Sequence, residues 1–240
     1  QSAGSPAGQP AAAMLGPFTV AGIVALSAAG ILIRYAVFAV TTGESGAQAY
    51  FDALCVWDCG WYKTIVETGY DLAPGLRLRP GAANWPFFPL YPASVGFVRS
   101  LTHWPTTAIG FALSSLYIAA AALVIRPLFG ARERAYWLFA IILLVGPFSF
   151  LFNTLYSESL FILLTAAVLL MLQQGRYLAA GGFGALLSAT RLTGVLIVFA
   201  ILVQALVDDL RAGRRLRDFP LRVLRDPRLM LALVGAPLGL

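Results

Sequence analysis

Residues 107–125 read TAIGFALSSLYIAAAALVI, an apolar run of 19 residues without a single charge. A helix needs about 20 predominantly apolar residues to cross the hydrocarbon core of a bilayer. This stretch therefore predicts a transmembrane helix, and it guides the interpretation of the rest of the chain. Because the strands of outer-membrane barrels alternate polar and apolar residues, a continuously apolar run excludes that fold.

The composition of the whole chain agrees with a membrane protein. Of its 240 residues, 59% are hydrophobic and 12% are charged, whereas about 25% of a soluble domain is charged. The apolar runs cover residues 17–40, 107–125, 135–152, 160–172, 177–190, 192–207 and 229–240. We therefore predict an all-α, polytopic membrane protein with about six to seven transmembrane helices. The last run stops at residue 240, so we expect the natural polypeptide to continue beyond it.

The segments outside these runs define the predicted domain organisation. Residues 1–16 carry no charge and are rich in Ala, Gly and Pro, which predicts a disordered tail before a single transmembrane domain over 17–240. Residues 41–106 form a large loop rich in aromatic residues and proline. We expect this loop to contain an interfacial helix over 49–66 and a proline-stiffened segment.

The distribution of charge predicts the orientation in the membrane. The formal net charge is +6, and Lys and Arg gather in cytoplasmic loops. A cytoplasmic N-terminus places the 126–134 loop, Arg176 and the basic 208–228 segment inside, and the 41–106 loop and the 153–159 patch outside. The basic segment is then a contact with membrane lipids, and we exclude nucleic acid as its partner.

Arg191 is a charged residue between two apolar runs. Burying it at the centre of a membrane costs at least ~2.5–3.5 kcal/mol on insertion scales. We therefore predict two short helices that meet near Arg191 and leave a water-accessible pocket on the outer side. Glu158 and Asp58 are its candidate partners, because the predicted topology puts all three on one side. The alternative is a structural ion pair that joins two helices.

Two outer segments carry unusual aromatic residues. The first is WDCGWY at 57–62, and the alternative to a functional role is an interfacial anchor whose Asp58 faces water. The second is NWPFFPLYP at 84–92. Such a proline-stiffened loop can hold a lipid-linked or sugar ligand, and the alternative is a rigid cap over the helix bundle.

A third outer segment, NTLYSES at 153–159, precedes an apolar run. We expect Ser157 or Ser159 to cap the following helix, where the helix dipole favours Glu158.

The cysteines and the histidine do not indicate a metal site. Cys55 and Cys59 are the only cysteines, and the chain has one histidine, too few ligands for a structural zinc ion. A divalent metal is possible but is not implied. Because a four-residue spacing within a helix is near the limit for a disulfide, we predict that both cysteines serve in packing. Arg77 and Arg79 are candidates to contact a phosphate, and solvated loop charges are the alternative.

Taken together, these motifs resemble the PIG-V family of mannosyltransferases. The resemblance extends over about residues 50–196 and rests on the order and spacing of short motifs: WDCGWY at 57–62, GY at 69–70, FFPLYP at 87–92, LYSESLF at 155–161 and RLTG at 191–194. The resemblance implies a superfamily C glycosyltransferase, which uses a polyprenyl- or dolichyl-phosphate-linked sugar and transfers it to a lipid or glycan acceptor. The Ala-, Arg- and Leu-rich composition favours a bacterial plasma membrane over the endoplasmic reticulum.

The resemblance also implies roles for individual residues. Asp58 matches the catalytic carboxylate and is expected to act as the general base in an inverting transfer on the extracytoplasmic face. We further infer from charge that Arg191 and Lys63 neutralise the donor phosphate. The other residues expected to bind substrate come from the same motifs: Trp57, Trp61, Tyr62, Phe88, Pro89, Tyr91, Tyr156 and Glu158. No cofactor is required for this reaction.

Two other functions remain open from the sequence. A secondary transporter or channel would line a path with Asp58, Glu158 and Arg191, and broken helices suit transporters as well. A scaffold subunit of a membrane complex would need none of these side chains for chemistry. The enzyme interpretation makes one structural prediction, namely that Asp58, Glu158 and Arg191 converge on one outward-facing cavity.

Overall fold

The computed structural model describes residues 16–75 and 80–240. Residues 1–15 of the expected disordered tail, together with Arg77 and Arg79, lie outside the described residues. The described chain consists of helices and their connections and contains no strand, so the expected all-α class is confirmed. Its α-helices are α1 (Pro17–Thr42), α2 (Ala47–Ala53), α3 (Cys59–Thr68), α4 (Leu90–Thr102), α5 (Thr106–Ile125), α6 (Glu133–Val145), α7 (Glu158–Gln173), α8 (Tyr177–Ser188), α9 (Ile197–Arg211), α10 (Phe219–Arg225) and α11 (Pro227–Gly235).

Five short 3₁₀ segments complete the described secondary structure: Arg126–Phe129, Pro147–Asn153, Leu192–Leu196, Leu216–Asp218 and Ala236–Gly239. Three of them continue a neighbouring apolar helix. Thr106–Phe129 and Leu192–Arg211 thereby reach 24 and 20 residues, and α11 continues to Gly239.

Three helices within the described residues are long and apolar enough to cross a membrane: Pro17–Thr42, Thr106–Phe129 and Leu192–Arg211. A fourth is present if the bent pair Glu133–Val145 and Pro147–Asn153 forms one span. Three further apolar helices, Glu158–Gln173, Tyr177–Ser188 and Pro227–Gly239, are shorter. Helix α1 exposes apolar side chains near both ends, where Phe18 and Val40 are 89% and 85% exposed, and such a surface is unfavourable in water.

The run 135–152, expected to be one continuous span, is bent by 68° between α6 and the following 3₁₀ segment. Gly146 and Pro147 lie at the bend, and proline cannot donate a backbone hydrogen bond. The charge in α1 fits into this bend. The Arg34 guanidinium donates to the carbonyl oxygen of Leu144 and to the side chains of Ser149 and Asn153. The bend therefore provides polar partners for a cation within an apolar helix.

The predicted interfacial helix over 49–66 is instead two helices, α2 and α3, separated by a turn at 54–58. The carbonyl oxygens of Leu54 and Val56 accept hydrogen bonds from side chains outside the turn. Trp57 adopts a φ of 47°, a left-handed conformation that a continuous helix does not allow. This turn is the feature that positions Asp58.

The packing of α5, α7, α8 and α9 separates two polar ends of the bundle. Helix α5 packs against α7, α7 against α8, and α8 against α11. Glu158 begins α7, and Arg191 follows α8, so both lie at one end. At the opposite end, the Tyr177 hydroxyl donates to the Asp208 carboxylate over 2.6 Å. Asp58, Glu158 and Arg191 thus lie at the other end of the bundle from the basic 208–228 segment, and the sides of the membrane that these two ends face stay a prediction.

Two adjacent glycines in α8 test this packing. A Cβ atom at Gly181 would lie 2.5 Å from the Cα atom of Ala232 in α11, whereas a Cβ atom at Gly182 would meet nothing within 4 Å. Gly181→Ala is therefore expected to lower the free energy of unfolding by about 1–3 kcal/mol through overpacking. Gly182→Ala, the matched control, is expected to be neutral or to stabilise α8 by up to ~1 kcal/mol. Thermal unfolding in detergent compares the two variants, and equal midpoints would contradict the α8–α11 contact.

Candidate functional site

One cavity of about 210 Å³ brings together the residues that the sequence singled out; we call it the Asp58 cavity. Its lining combines two carboxylates, one guanidinium, aromatic rings and two threonines: Asp58, Tyr62, Pro86, Phe87, Phe88, Glu158, Thr190, Arg191, Leu192 and Thr193. The predicted convergence of Asp58, Glu158 and Arg191 on one cavity is thus confirmed. The side of the membrane that it faces stays a prediction.

A disulfide between Cys55 and Cys59 closes the turn that carries Asp58. The prediction that these cysteines only pack is wrong, and the reason is the backbone path. Cys55 lies in the turn rather than in a helix, and this brings the two Cα atoms to 5.1 Å, within the range that a disulfide requires. Asp58 directly precedes α3, and its carbonyl oxygen accepts hydrogen bonds from the backbone of Trp61 and Tyr62.

The same turn is held from the other side by the segment before α7. The Thr154 hydroxyl donates to the carbonyl oxygen of Leu54 over 2.8 Å, and the Tyr156 hydroxyl donates to that of Val56 over 2.6 Å. Burial raises the pKa of Tyr156 to about 12, and the nearby charge of Asp58 acts in the same direction. Tyr156 stays a neutral hydrogen-bond donor at physiological pH, so it acts as a support for the turn and does not line the cavity.

Glu158 and Arg191 form an ion pair at the mouth of the cavity. The Arg191 Nη1 and Glu158 Oε1 atoms are 2.5 Å apart, and the side chains are 40% and 29% exposed. Arg191 has extended backbone between α8 and the next 3₁₀ segment, which confirms the predicted break. Gly194 is required there, because a Cβ atom would collide with the carbonyl oxygen of Leu187.

Neither serine caps α7 through its side chain, contrary to expectation. The Ser157 hydroxyl instead accepts a hydrogen bond from Tyr62 over 2.8 Å, and the Ser159 hydroxyl donates to the carbonyl oxygen of Phe152. Both serines thereby tie the irregular segment before α7 to its neighbours. Of the residues in the first turn of α7, Glu158 is the one that lines the cavity.

Aromatic rings form one wall of the cavity. Phe87 lies between Trp61, stacked with a centroid distance of 6.0 Å, and Tyr62, edge-on at 5.1 Å. The Tyr70 hydroxyl fixes the loop by donating to the carbonyl oxygen of Phe87 over 2.6 Å. Burial raises the pKa of Tyr62 to about 12, although the hydrogen bond to Ser157 acts in the opposite direction. Tyr62 therefore contributes an uncharged face to the cavity.

The base of the proline-rich loop is a buried hydrogen-bonded pair that the sequence did not reveal. The backbone amide of Asp71 donates to the side-chain oxygen of Asn84, and the backbone amide of Asn84 donates to the Asp71 carboxylate over 3.0 Å. The Trp85 indole also donates to the carbonyl oxygen of Asp71. At its other end, the backbone amide of Leu90 donates to the carbonyl oxygen of Ala189. These bonds keep the loop against the end of α8, beside Arg191.

Several residues expected to bind substrate lie away from the Asp58 cavity. Tyr91 is fully buried in the core, where its hydroxyl contacts that of Ser114 at 2.7 Å. Trp57 is 70% exposed and faces Phe150. Trp61 contacts the cavity only through Phe87, and Tyr156 supports the turn. Pro89 lines a separate aromatic depression, to which Phe88 also contributes.

Lys63 is the clearest correction, because it lines a different cavity together with Asp52, Glu67 and His103. A helix advances about 100° per residue, so Tyr62 lies about 40° around α3 from Asp58, whereas Lys63 lies about 140° away. Partial burial acts to raise the pKa of Asp52, but hydrogen bonds from Thr107 and Gln48 and the charge of Lys63 outweigh it and lower that pKa. Lys63 is thus close to Asp52 and away from the predicted phosphate position.

The sequence reasoning missed several lining residues, above all Thr190, Thr193 and Phe87. Their position in the chain was a usable signal, because Thr190 and Thr193 flank Arg191 and Phe87 lies in the proline-rich loop. Within residues 16–75 and 80–240, no three His, Cys, Asp or Glu side chains are grouped as metal ligands.

Comparisons with protein-family models, with curated proteins and with solved structures found no match for this chain. The PIG-V resemblance therefore rests on the short motifs alone, and the chemistry has to be inferred from the Asp58 cavity.

The disulfide makes a direct prediction about the thiols. Intact-mass analysis of the denatured, unreduced protein after treatment with iodoacetamide is expected to show no added group, because Cys55 and Cys59 are the only cysteines. Reduction before treatment is expected to add two groups. A Cys55→Ser/Cys59→Ser variant provides the blank under both conditions. Alkylation without reduction would contradict the closed turn.

Proposed function

We propose that this protein is a membrane glycosyltransferase that transfers a mannosyl residue from a polyprenyl- or dolichyl-phosphate donor to an acceptor hydroxyl. The observation that carries the proposal is the convergence of Asp58, Glu158 and Arg191 on one aromatic-walled cavity. A carboxylate that can accept a proton and a guanidinium that can bind phosphate are the two groups that this transfer needs.

Asp58 is the proposed general base. The acceptor oxygen bonds to C1 of the sugar while the bond between C1 and the phosphate oxygen breaks, and the phosphate leaves with the electron pair. Asp58 takes the proton of the acceptor hydroxyl. This single displacement inverts the anomeric centre, forms no covalent enzyme intermediate and requires no metal.

Arg191 is the proposed phosphate contact. The phosphodiester of the donor carries one negative charge, and the departing phosphate monoester gains a second. A fixed guanidinium therefore binds the transition state more strongly than the ground state. Glu158 holds Arg191 in the required position through their ion pair. This pair keeps Arg191 ordered before the donor binds, and the donor phosphate then competes with Glu158 for the guanidinium.

The cavity volume supports a lipid-linked donor. At about 210 Å³ it is smaller than the roughly 300–1,000 Å³ of a typical small-molecule site, so it accommodates the reacting end of the donor. The prenyl chain then lies in the bilayer beside the candidate spans. In the proposed arrangement the chain has six to seven transmembrane helices of superfamily C type, with the cavity on the extracytoplasmic side of a bacterial plasma membrane and a lipid or glycan as acceptor.

Replacement of the proposed base is the first functional test. Asp58→Asn is expected to lower transfer from polyprenyl-phosphate-mannose by about 10²–10⁴-fold, because an amide cannot accept the proton. Asp52→Asn is the matched control: Asp52 lies in α2, outside the Asp58 cavity, and an amide oxygen still accepts the Thr107 hydrogen bond. Radiolabel transfer in liposomes, with lipid and glycan acceptors offered together, measures the effect.

Full transfer by a folded Asp58→Asn variant would exclude Asp58 as the base. A change in ion or solute flux without any transfer by the wild type would favour a transporter.

A second test separates phosphate binding from general charge. Arg191→Gln is expected to lower kcat/KM for the donor by about 10²–10³-fold, with partial recovery in Arg191→Lys because a point charge replaces the planar fork. Lys63→Gln, which removes one positive charge from the other cavity, is expected to change kcat/KM by less than about twofold. Equal losses in Arg191→Gln and Lys63→Gln would contradict the assignment of Arg191.

A further inference from the structure

Another charged cavity lies at the opposite end of α9 from the Asp58 cavity, and we call it the arginine cavity. Its volume is about 640 Å³, and four arginines and two aspartates contribute to its lining: Asp209, Gly213, Arg214, Arg215, Asp218, Leu221, Arg222 and Arg225. The lining therefore has an excess of two positive charges. Nothing in the proposed transfer reaction uses this cavity.

A buried carboxylate organises the arginine cavity. Asp209 is 4% exposed and forms ion pairs with Arg214, at 3.0 Å, and with Arg222. A buried charge of this kind requires paired partners, so both guanidiniums are held against the wall. The cavity is thus a built arrangement of side chains, unlike a row of solvated charges.

The other acidic residues nearby do not pair with the remaining arginines of the cavity. Asp218, which also lines the cavity, pairs with Arg217 over 3.7 Å. Asp208 accepts hydrogen bonds from Tyr177 and Gln204. Asp226 caps α11 by accepting hydrogen bonds from two backbone amides. Among the described residues, no side-chain hydrogen bond or ion pair involves Arg215 or Arg225, and both side chains are exposed at the cavity. Free guanidinium groups beside a fixed pair suit a phosphate, because their planar forks match its oxygens.

Apolar side chains around the cavity indicate where that phosphate comes from. Leu216, Leu221 and Leu224 are 62%, 56% and 68% exposed, and Leu221 itself lines the cavity. The cavity begins where the candidate span Leu192–Arg211 ends. Exposed leucines beside arginines at the end of a span are the arrangement of a membrane interface, with apolar groups toward acyl chains and cations toward headgroups.

We propose that the arginine cavity binds the phosphate headgroup of an anionic phospholipid, with Arg215 and Arg225 as its free ligands and Arg214 and Arg222 as fixed ones. This site is independent of the Asp58 cavity, so it stands or falls separately from the glycosyltransferase proposal. Bound lipid stabilises the α9–α10 end of the bundle, because its phosphate joins arginines from both sides of the turn.

Two double variants with the same loss of charge test the site. Arg215→Gln/Arg225→Gln removes the free ligands, whereas Arg211→Gln/Arg228→Gln removes two arginines of the same basic segment that do not line the cavity. The purified protein in neutral detergent is titrated with phosphatidylglycerol, and native mass spectrometry counts the bound lipid. We expect the affinity of the cavity variant to fall about tenfold or more, and that of the control to change by less than about threefold.

Zwitterionic phosphatidylcholine and inorganic phosphate complete the experiment. The proposal expects neither compound to bind as tightly as phosphatidylglycerol. Equal binding of phosphatidylglycerol and phosphatidylcholine by the wild type would overturn the proposal, as would equal losses in the two double variants. Inorganic phosphate that protects against thermal unfolding as well as the lipid does would assign the cavity to a soluble anion instead.

Discussion

The structure depends on one short segment, residues 153–157, which is buried between the bend after α6 and the start of α7. Non-helical backbone among apolar helices is tolerated only if its polar groups find partners within the protein. Here four side chains meet three different elements: Asn153 contacts Arg34 of α1, Thr154 and Tyr156 contact the Asp58 turn, and Ser157 contacts Tyr62 of α3. The requirement to satisfy this segment is what joins the loop 41–106 to the helices.

The position of the Asp58 cavity follows from that requirement. The segment holds the turn before α3 and ends where Glu158 begins α7, so one carboxylate on each side of it faces the same space. Arg191 completes the cavity because α8 stops at Ser188 and the chain becomes extended. The carboxylate of Asp58 and the guanidinium of Arg191 thereby line one cavity, and this is the arrangement on which the proposed transfer of charge from acceptor to phosphate depends.

The sequence predicted those parts of the molecule that composition and charge determine. Apolar runs indicated helices, and the cost of burying a charge indicated the break at Arg191. The predicted topology left Glu158 and Asp58 as candidate partners, and the structure pairs Arg191 with Glu158. It could not predict features that depend on the backbone path. The Cys55–Cys59 disulfide requires the turn at 54–58. Lys63 is a predicted site residue, but its face of α3 lines a different cavity. The bend at residues 146–147 could not be predicted, because the polar groups beyond it are bound by Arg34, which is more than a hundred residues away in the sequence.

In the proposed reaction, the Asp58 cavity binds the phosphate-linked sugar. Photo-crosslinking tests it directly, with a polyprenyl-phosphate-mannose analogue that carries a small photoreactive group on the sugar and mass spectrometry to locate the adducts. We expect adducts only at Glu158 and within residues 58–62, 86–88 and 190–193, and we expect unlabelled donor to abolish them. Competed adducts in the Lys63 cavity or the arginine cavity, with none at these positions, would show that the Asp58 cavity does not bind the donor.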